Sequence, residues 1–132
     1  MFLLDTNACI RLLNGTSLPL EDRLHRVEPS EVCLCSVVKA ELVYGARRGS
    51  RVAENLDLLR RFFLPFASFA FDDSCADHCG RVRAELAAQG TPIGPNDLLI
   101  AATALAHDLT LVTHNIREFS RVTGLRMEDW EG

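Results

Sequence analysis

Lysine is almost missing from this chain of 132 residues: Lys39 stands alone against thirteen arginines. A receiver-type signalling domain has this length and needs a lysine after its fifth strand. No lysine follows Lys39, so that class is disfavoured. Long apolar runs are also lacking. The longest candidate, Leu98 to Ala106, is about half of what a bilayer crossing requires. The opening Met1-Phe2-Leu3-Leu4 stops at Asp5 and has no basic flank, which argues against a secretory signal. With neither signal nor span, the expectation is a cytoplasmic protein with no membrane association. There is no even set of cysteines: five are present, Cys9, Cys33, Cys35, Cys75 and Cys79, which speaks against a disulfide framework. Neither Cys33/Cys35 nor Cys75/Cys79 has the spacing of a zinc knuckle, so buried free thiols are expected. The net charge of −4 is not the broad positive field of a nonspecific nucleic-acid binder. The arginine bias suits phosphate, which a planar guanidinium fork grips well, but genomic base composition is the plainer explanation.

What is present is ordinary for a globular domain: 48% apolar and 24% charged residues. The length fits one domain over residues 1–132, and no repeat, low-complexity tract or linker divides it. Short apolar runs alternate with helical periodicity. Strands are expected at Met1–Leu4, Val32–Cys35, Ser68–Phe71 and Thr110–Thr113, with an edge strand at Leu125–Met127. Helices are expected at Ala8–Leu13, Leu18–Val27, Val37–Arg48, Arg51–Leu64, Ser74–Ala88, Pro95–His107 and Ile116–Phe119. Ser36, Ser50 and Asp72 or Asp73 are candidate helix caps, and Pro95 suits a first helical position. The alternation predicts an α/β fold: a three-layer α/β/α sandwich around a mainly parallel sheet of four to five strands.

In such sheets ligands bind beyond the carboxyl ends of the strands. Asp5, Thr113, His114 and Asn115 fall there, and Asp97 falls in the first turn of a helix. Each has a plain alternative: Asp5 as a helix cap, Asp97 as a partner of the helix dipole, Thr113 and Asn115 as turn residues. Glu41 is harder to dismiss, because its helical neighbours Val37, Val38, Leu42 and Gly45 are apolar or small. A carboxylate beside a buried stripe wants a cation, either an arginine or a metal ion. If Asp5, Glu41 and Asp97 converge, their mutual repulsion favours a divalent ion with oxygen ligands, and the matching substrate is a phosphodiester. A phosphatase with an aspartate nucleophile would want a second aspartate where Asn7 stands.

Four segments carry a resemblance: Leu3-Leu4-Asp5-Thr6-Asn7; Ala40-Glu41-Leu42-Val43-Tyr44-Gly45-Ala46; Gly90-Thr91-Pro92-Ile93-Gly94-Pro95-Asn96-Asp97 through Ala102; and Leu111-Val112-Thr113-His114-Asn115-Ile116-Arg117-Glu118-Phe119. Together with the closing Gly124-Leu125 and Glu128-Asp129-Trp130, they resemble, in order and spacing, the motifs of PIN-domain ribonucleases of the VapC-like branch, the toxins of type II toxin–antitoxin systems. The resemblance implies a metal-dependent endoribonuclease using Mg2+ or Mn2+, an RNA substrate, a cognate antitoxin and a homodimer. It implies Asp5, Glu41 and Asp97 as metal-binding acids, Thr6 and Asn7 as small polar residues beside the first acid, and Thr113 as a support. At the fourth acidic position this chain has Asn115, with Glu118 one helical turn later. Asn115 is expected nearer the site and Glu118 behind it. The departure leaves a second reading, an inactive PIN domain that binds protein or RNA. Arg47, Arg48, Arg51, Arg81 and Arg117 are candidates for gripping the RNA backbone, and solvated helix faces account for them as well.

Overall fold

A computed structural model describes all residues 1–132. Five parallel strands form one sheet: β1 (Phe2–Leu4), β2 (Val32–Cys35), β3 (Ala67–Phe69), β4 (Thr110–Val112) and β5 (Met127–Glu128). Their order is β3-β2-β1-β4-β5, with Leu3 registered against Cys33 on one side and Leu111 on the other. The chain leaves β1 toward β2, and β4 later adds on the opposite side. The edge of β1 facing β4 is therefore the point where the winding reverses, which is where such sheets bind ligands.

The helices are α1 (Thr6–Asn14), α2 (Leu18–His25), α3 (Ser36–Arg47), α4 (Val52–Phe63), α5 (Asp73–Gln89), α6 (Pro95–Ala106) and α7 (Ile116–Phe119), with a 3-10 turn at Pro29–Glu31. Leu3, Leu4, Val32–Cys35, Leu111 and Val112 are shut off from solvent, as strands covered on both faces must be. Truncating Leu4 to alanine in such surroundings costs about 2–5 kcal/mol. Helix α6 is buried along Ile100–Ala104, where four of five side chains are small or short enough to let it lie close against the sheet and α5.

The expected elements are all present, with shifted ends. Strand β3 starts at Ala67, because Ala67 pairs with Cys33 and Phe69 with Cys35. Ala70 and Phe71 have left the ladder. Strand β5 is Met127–Glu128, displaced from Leu125–Met127; Leu125 instead turns into the core. Asp72 is the cap of α5, its carboxylate accepting the Cys75 N–H at 3.0 Å. Ser36 and Ser50 cap nothing: α3 begins at Ser36 itself behind Cys35, and α4 begins behind Arg51, both without a side-chain cap. Lys39 is half-buried, its amine 4.9 Å from the centre of the Phe63 ring. Four of the five free cysteines are buried, and burial pushes the Cys33 thiol up to about 12.

Candidate active site

Asp5 leaves β1 and does two things at once. One carboxylate oxygen accepts the Ala8 N–H at 2.8 Å, capping α1, yet the residue is only 4% exposed and sits where the sheet's winding reverses. Burial raises its pKa, and the adjacent Thr113 hydroxyl and the Ala8 N–H partly offset that rise. Thr113 Oγ1 accepts the Asn115 N–H at 3.0 Å, which leaves its own proton for Asp5. The cap reading of Asp5 is thus correct as local structure and does not exhaust the residue.

Glu41 lies on α3 beside the buried stripe of Val38, Leu42 and Ala46. Its Oε1 accepts a short hydrogen bond, 2.6 Å, from Thr6 Oγ1 on the first turn of α1. No arginine or lysine pairs with it. Asp97, in the first turn of α6, makes no hydrogen bond of its own. Its carboxyl is pushed up to about 6, first by burial and then by the charges of Glu118, Asp5 and Glu41. The fold therefore brings Asp5, Glu41 and Asp97, from three different elements, into one field.

Glu118 belongs to the same field. Its Oε1 accepts the Gly94 N–H at 2.7 Å and its Oε2 accepts the Asn115 side-chain N–H at 2.8 Å. The Gly94 bond, aided by Asn115 and Arg121, holds its pKa below the usual carboxylate range. Asn115 meanwhile borders a polar crevice of about 180 Å³ with Asp5, Asn7, Arg11 and His114. The two candidates for the fourth position are thus hydrogen-bonded to each other, Asn115 also lining the crevice beside Asp5 and Glu118 adding its charge at Asp97. His114 lies at the strand end where the sequence put it, and Arg11 is the residue that the sequence reading missed. Asn7 and Arg11 are four apart on α1, a spacing that already puts both on one face. Both Arg11 and His114 reach the C-terminal segment, Arg11 as an ion pair with Glu131 at 3.2 Å and His114 by a hydrogen bond between Nδ1 and Asp129 at 3.0 Å.

Of the arginines proposed to grip a backbone, Arg48 borders a second crevice, about 660 Å³, along Thr6, Asn7, Glu41, Tyr44 and Asn96. Arg81 is paired with Glu85 and Arg51 with Glu54 on their own helices.

The donor set suits a hard divalent cation. It is all oxygen, and no cationic side chain opposes the shift at Asp97. Gly94 adds a steric observation: a β-carbon there would stand 3.6 Å from Asp97 Oδ2 and 3.7 Å from Glu118 Oε1, so the glycine leaves open the space between two carboxylates. The carboxylates of Asp5, Glu41 and Asp97 are not drawn within 4.8 Å of one another; the two groups that are that tight, Asp72/Cys75/His107 and His114/Asp129/Glu131, are different residues.

Parallel α/β/α sandwiches bind ligands where the winding reverses, here with acids gathered at the β1–β4 edge, and comparison with known proteins says which class this one belongs to. The PIN domain family model matches residues 2–125. The tRNA(fMet)-specific endonuclease VapC of Salmonella typhimurium is 39% identical over 129 residues, covering 98% of this chain and 97% of that protein. The crystal structure of VapBC2 from Rickettsia felis, bound to a DNA fragment from its promoter, superposes with a TM-score of 0.91 at 34% identity, covering 98% of each chain. VapBC-5 from Mycobacterium tuberculosis, a member of the VapBC family of toxin-antitoxin systems, gives 0.62 at 29% identity over 74% of this chain and 79% of that one. The chain belongs to the PIN-domain family, on its VapC branch.

Proposed function

We propose that this protein is a divalent-metal-dependent endoribonuclease, the toxin of a toxin–antitoxin pair, that hydrolyses RNA phosphodiesters. The observation that carries the reading is the meeting of carboxylates at Asp97, whose carboxyl is pushed up to about 6 first by burial and then by the charges of Glu118, Asp5 and Glu41, with no cationic side chain opposing the shift. Like charges gathered in one crevice are costly unless a cation joins them. The relatives' activities, those of a tRNA(fMet)-specific endonuclease and of ribonucleases, fit this reading.

Asp5, Glu41 and Asp97 are the residues that would hold Mg2+ or Mn2+, with Glu118 adding a fourth carboxylate. A bound ion of this kind supplies Lewis acidity, activating water for attack at phosphorus and neutralising charge on the phosphate. The chain's own residues do the positioning. Thr6 orients Glu41 by donating to Oε1, Thr113 and the Ala8 N–H fix Asp5, and Asn115 with the Gly94 N–H fixes Glu118. Arg48 borders the crevice beside Glu41 and is suited to a backbone phosphate, whereas Arg11, in the crevice beside Asp5, is paired with Glu131.

The partner is an antitoxin protein, as in the toxin-antitoxin neighbour. Apolar ground suited to it borders Glu41: Ile10, Leu13, Leu42 and Leu58 line a groove between α1, α3 and α4, and Leu58 is 46% exposed. Association into a homodimer belongs to the same reading. No helix is long and apolar enough to cross a membrane. Free thiols and an RNA substrate fit action in the cytoplasm.

The test is cleavage of RNA by purified protein with Mg2+ or Mn2+ against excess EDTA. Cleavage that needs the ion supports the proposal, and undiminished cleavage in chelator refutes it.

A further inference from the structure

At the end of α6 remote from Asp97, a second set of metal-binding groups comes together: Asp72 before α5, Cys75 in its first turn, and His107 at the C-terminus of α6. One carboxylate oxygen, the thiol sulfur and one imidazole nitrogen all lie within 4.8 Å of one another. Asp72 Oδ1 is occupied by the Cys75 N–H, which turns Oδ2 toward His107 Nε2 at 3.3 Å. Cys75 is fully buried, and the His107 ring is held against Phe69 with centroids 4.8 Å apart.

An ordinary ion pair accounts for part of this. It leaves two observations over. His107 Nε2 is shut off from water and has no hydrogen-bond partner, because its contact with Asp72 lacks the alignment of a hydrogen bond. The pair also gives no role to the thiol, which makes only a long 3.7 Å hydrogen bond to the Ala70 carbonyl and lies beside the Asp72 carboxylate and the Thr103 hydroxyl. A nitrogen, an oxygen and a sulfur gathered within 4.8 Å of one another is an arrangement that metal ligands adopt. A tetrahedral zinc ion with bonds of about 2.0–2.3 Å sets its ligands roughly 3.3–3.8 Å apart. The 3.3 Å between Nε2 and Oδ2 already matches.

We propose that Asp72, Cys75 and His107 form a zinc-binding site, distinct from the carboxylate rim, with its fourth position open to water. A thiolate, a carboxylate and a neutral imidazole carry two negative charges between them and balance Zn2+; binding releases the Cys75 proton. The thiolate selects zinc over magnesium or manganese, which prefer oxygen. His107 and Asp97 are ten residues apart on α6, about 15 Å along the helix. The site therefore staples the β3–α5 loop and α5 to the far end of the helix that carries Asp97, and takes no part in cleavage chemistry.

The experiment is a titration of the purified full-length protein with Co2+, as a spectroscopic stand-in for zinc, under a phosphine reductant. A thiolate-to-cobalt charge-transfer band is expected, bleached by Zn2+; an all-oxygen site cannot produce it. Cys75→Ser should abolish the band, His107→Gln should weaken Co2+ binding at least about tenfold, and Cys79→Ser should leave the band unchanged. Zn2+ should raise the Tm of the parent and not that of His107→Gln. The proposal is overturned if the parent shows no band in excess Co2+, if the band survives Cys75→Ser, or if His107→Gln binds as tightly as the parent. Should Cys75→Ser fail to fold, the parent's band and the His107→Gln affinity decide the matter.

Discussion

Asp97→Asn should make the protein more stable in metal-free buffer, although it removes the centre of the proposed site. The carboxyl is raised from 3.8 to about 6, a shift worth about 3 kcal/mol at full weight. Asp97 is only half-buried, so solvent screening cuts this to about 1–2 kcal/mol. Against it stands the favourable contact of a carboxylate with the helix N-terminus, about 0.3–1 kcal/mol. No hydrogen bond is lost, because Asp97 makes none. The net gain is about 1 kcal/mol, or roughly 4 °C in Tm for a chain of this size. The pH dependence has a definite sign. A carboxyl whose folded pKa is raised penalises the fold when charged, so the penalty is complete above about pH 6 and fades as pH falls through 6 toward 3.8. Thermal unfolding followed by circular dichroism in EDTA should show the variant ahead at pH 8 and level with the parent near pH 4. Added Mg2+ should reverse the order by stabilising the parent more. A variant that is no more stable than the parent at pH 8 in EDTA, or whose advantage does not change with pH, would refute the reasoning.

Three further outcomes are expected. Asp5→Asn and Asp5→Ala should both lose RNA cleavage, but only the alanine should also lose about 1 kcal/mol of stability, because asparagine still accepts the Ala8 N–H; cleavage at the parent's rate by either variant would reduce Asp5 to a cap. Gly94→Ala should fold normally, since φ −56°, ψ 146° suits alanine, yet should demand more Mg2+ for cleavage, because its methyl enters the space between Asp97 and Glu118; an unchanged Mg2+ profile would place the ion elsewhere. Glu118→Gln should lower cleavage about tenfold, roughly 1.4 kcal/mol, while Asn115→Asp should lower Tm in EDTA by setting two carboxylates face to face where an amide now donates at 2.8 Å; a Tm unchanged by Asn115→Asp would mean that this contact does not persist in solution.

Local chemistry in the sequence determined the elements and much of the site's composition. The largely apolar runs at β1, β2 and β4, bounded by turn residues, read as strands buried on both faces, Pro95 suits the opening of a helix, and an acid that ends a strand or opens a helix lies near a rim whatever the partner strands are. Glu41 was legible because a carboxylate beside Val38 and Leu42 has no ordinary reason to be there. Local rules failed where long-range pairing overrode them. Ser36 and Ser50 have the chemistry of caps, but the start of each helix is set elsewhere, and β3 moved because register with β2 decides where a strand ends. The order β3-β2-β1-β4-β5 lay beyond local reading, and with it the meeting of Asp97 with Asp5, Glu41 and Glu118. The division between Asn115 and Glu118 turned on one backbone N–H, that of Gly94, which lies 24 residues from the carboxylate it holds. Asp72 and Cys75 are neighbours in any helix, but only the packing of α5 on α6 brings His107, 32 residues from Cys75, to face them. Charge and hydrogen-bonding capacity belong to residues one at a time; distance between them belongs to the folded chain, and the chemistry proposed here depends on both.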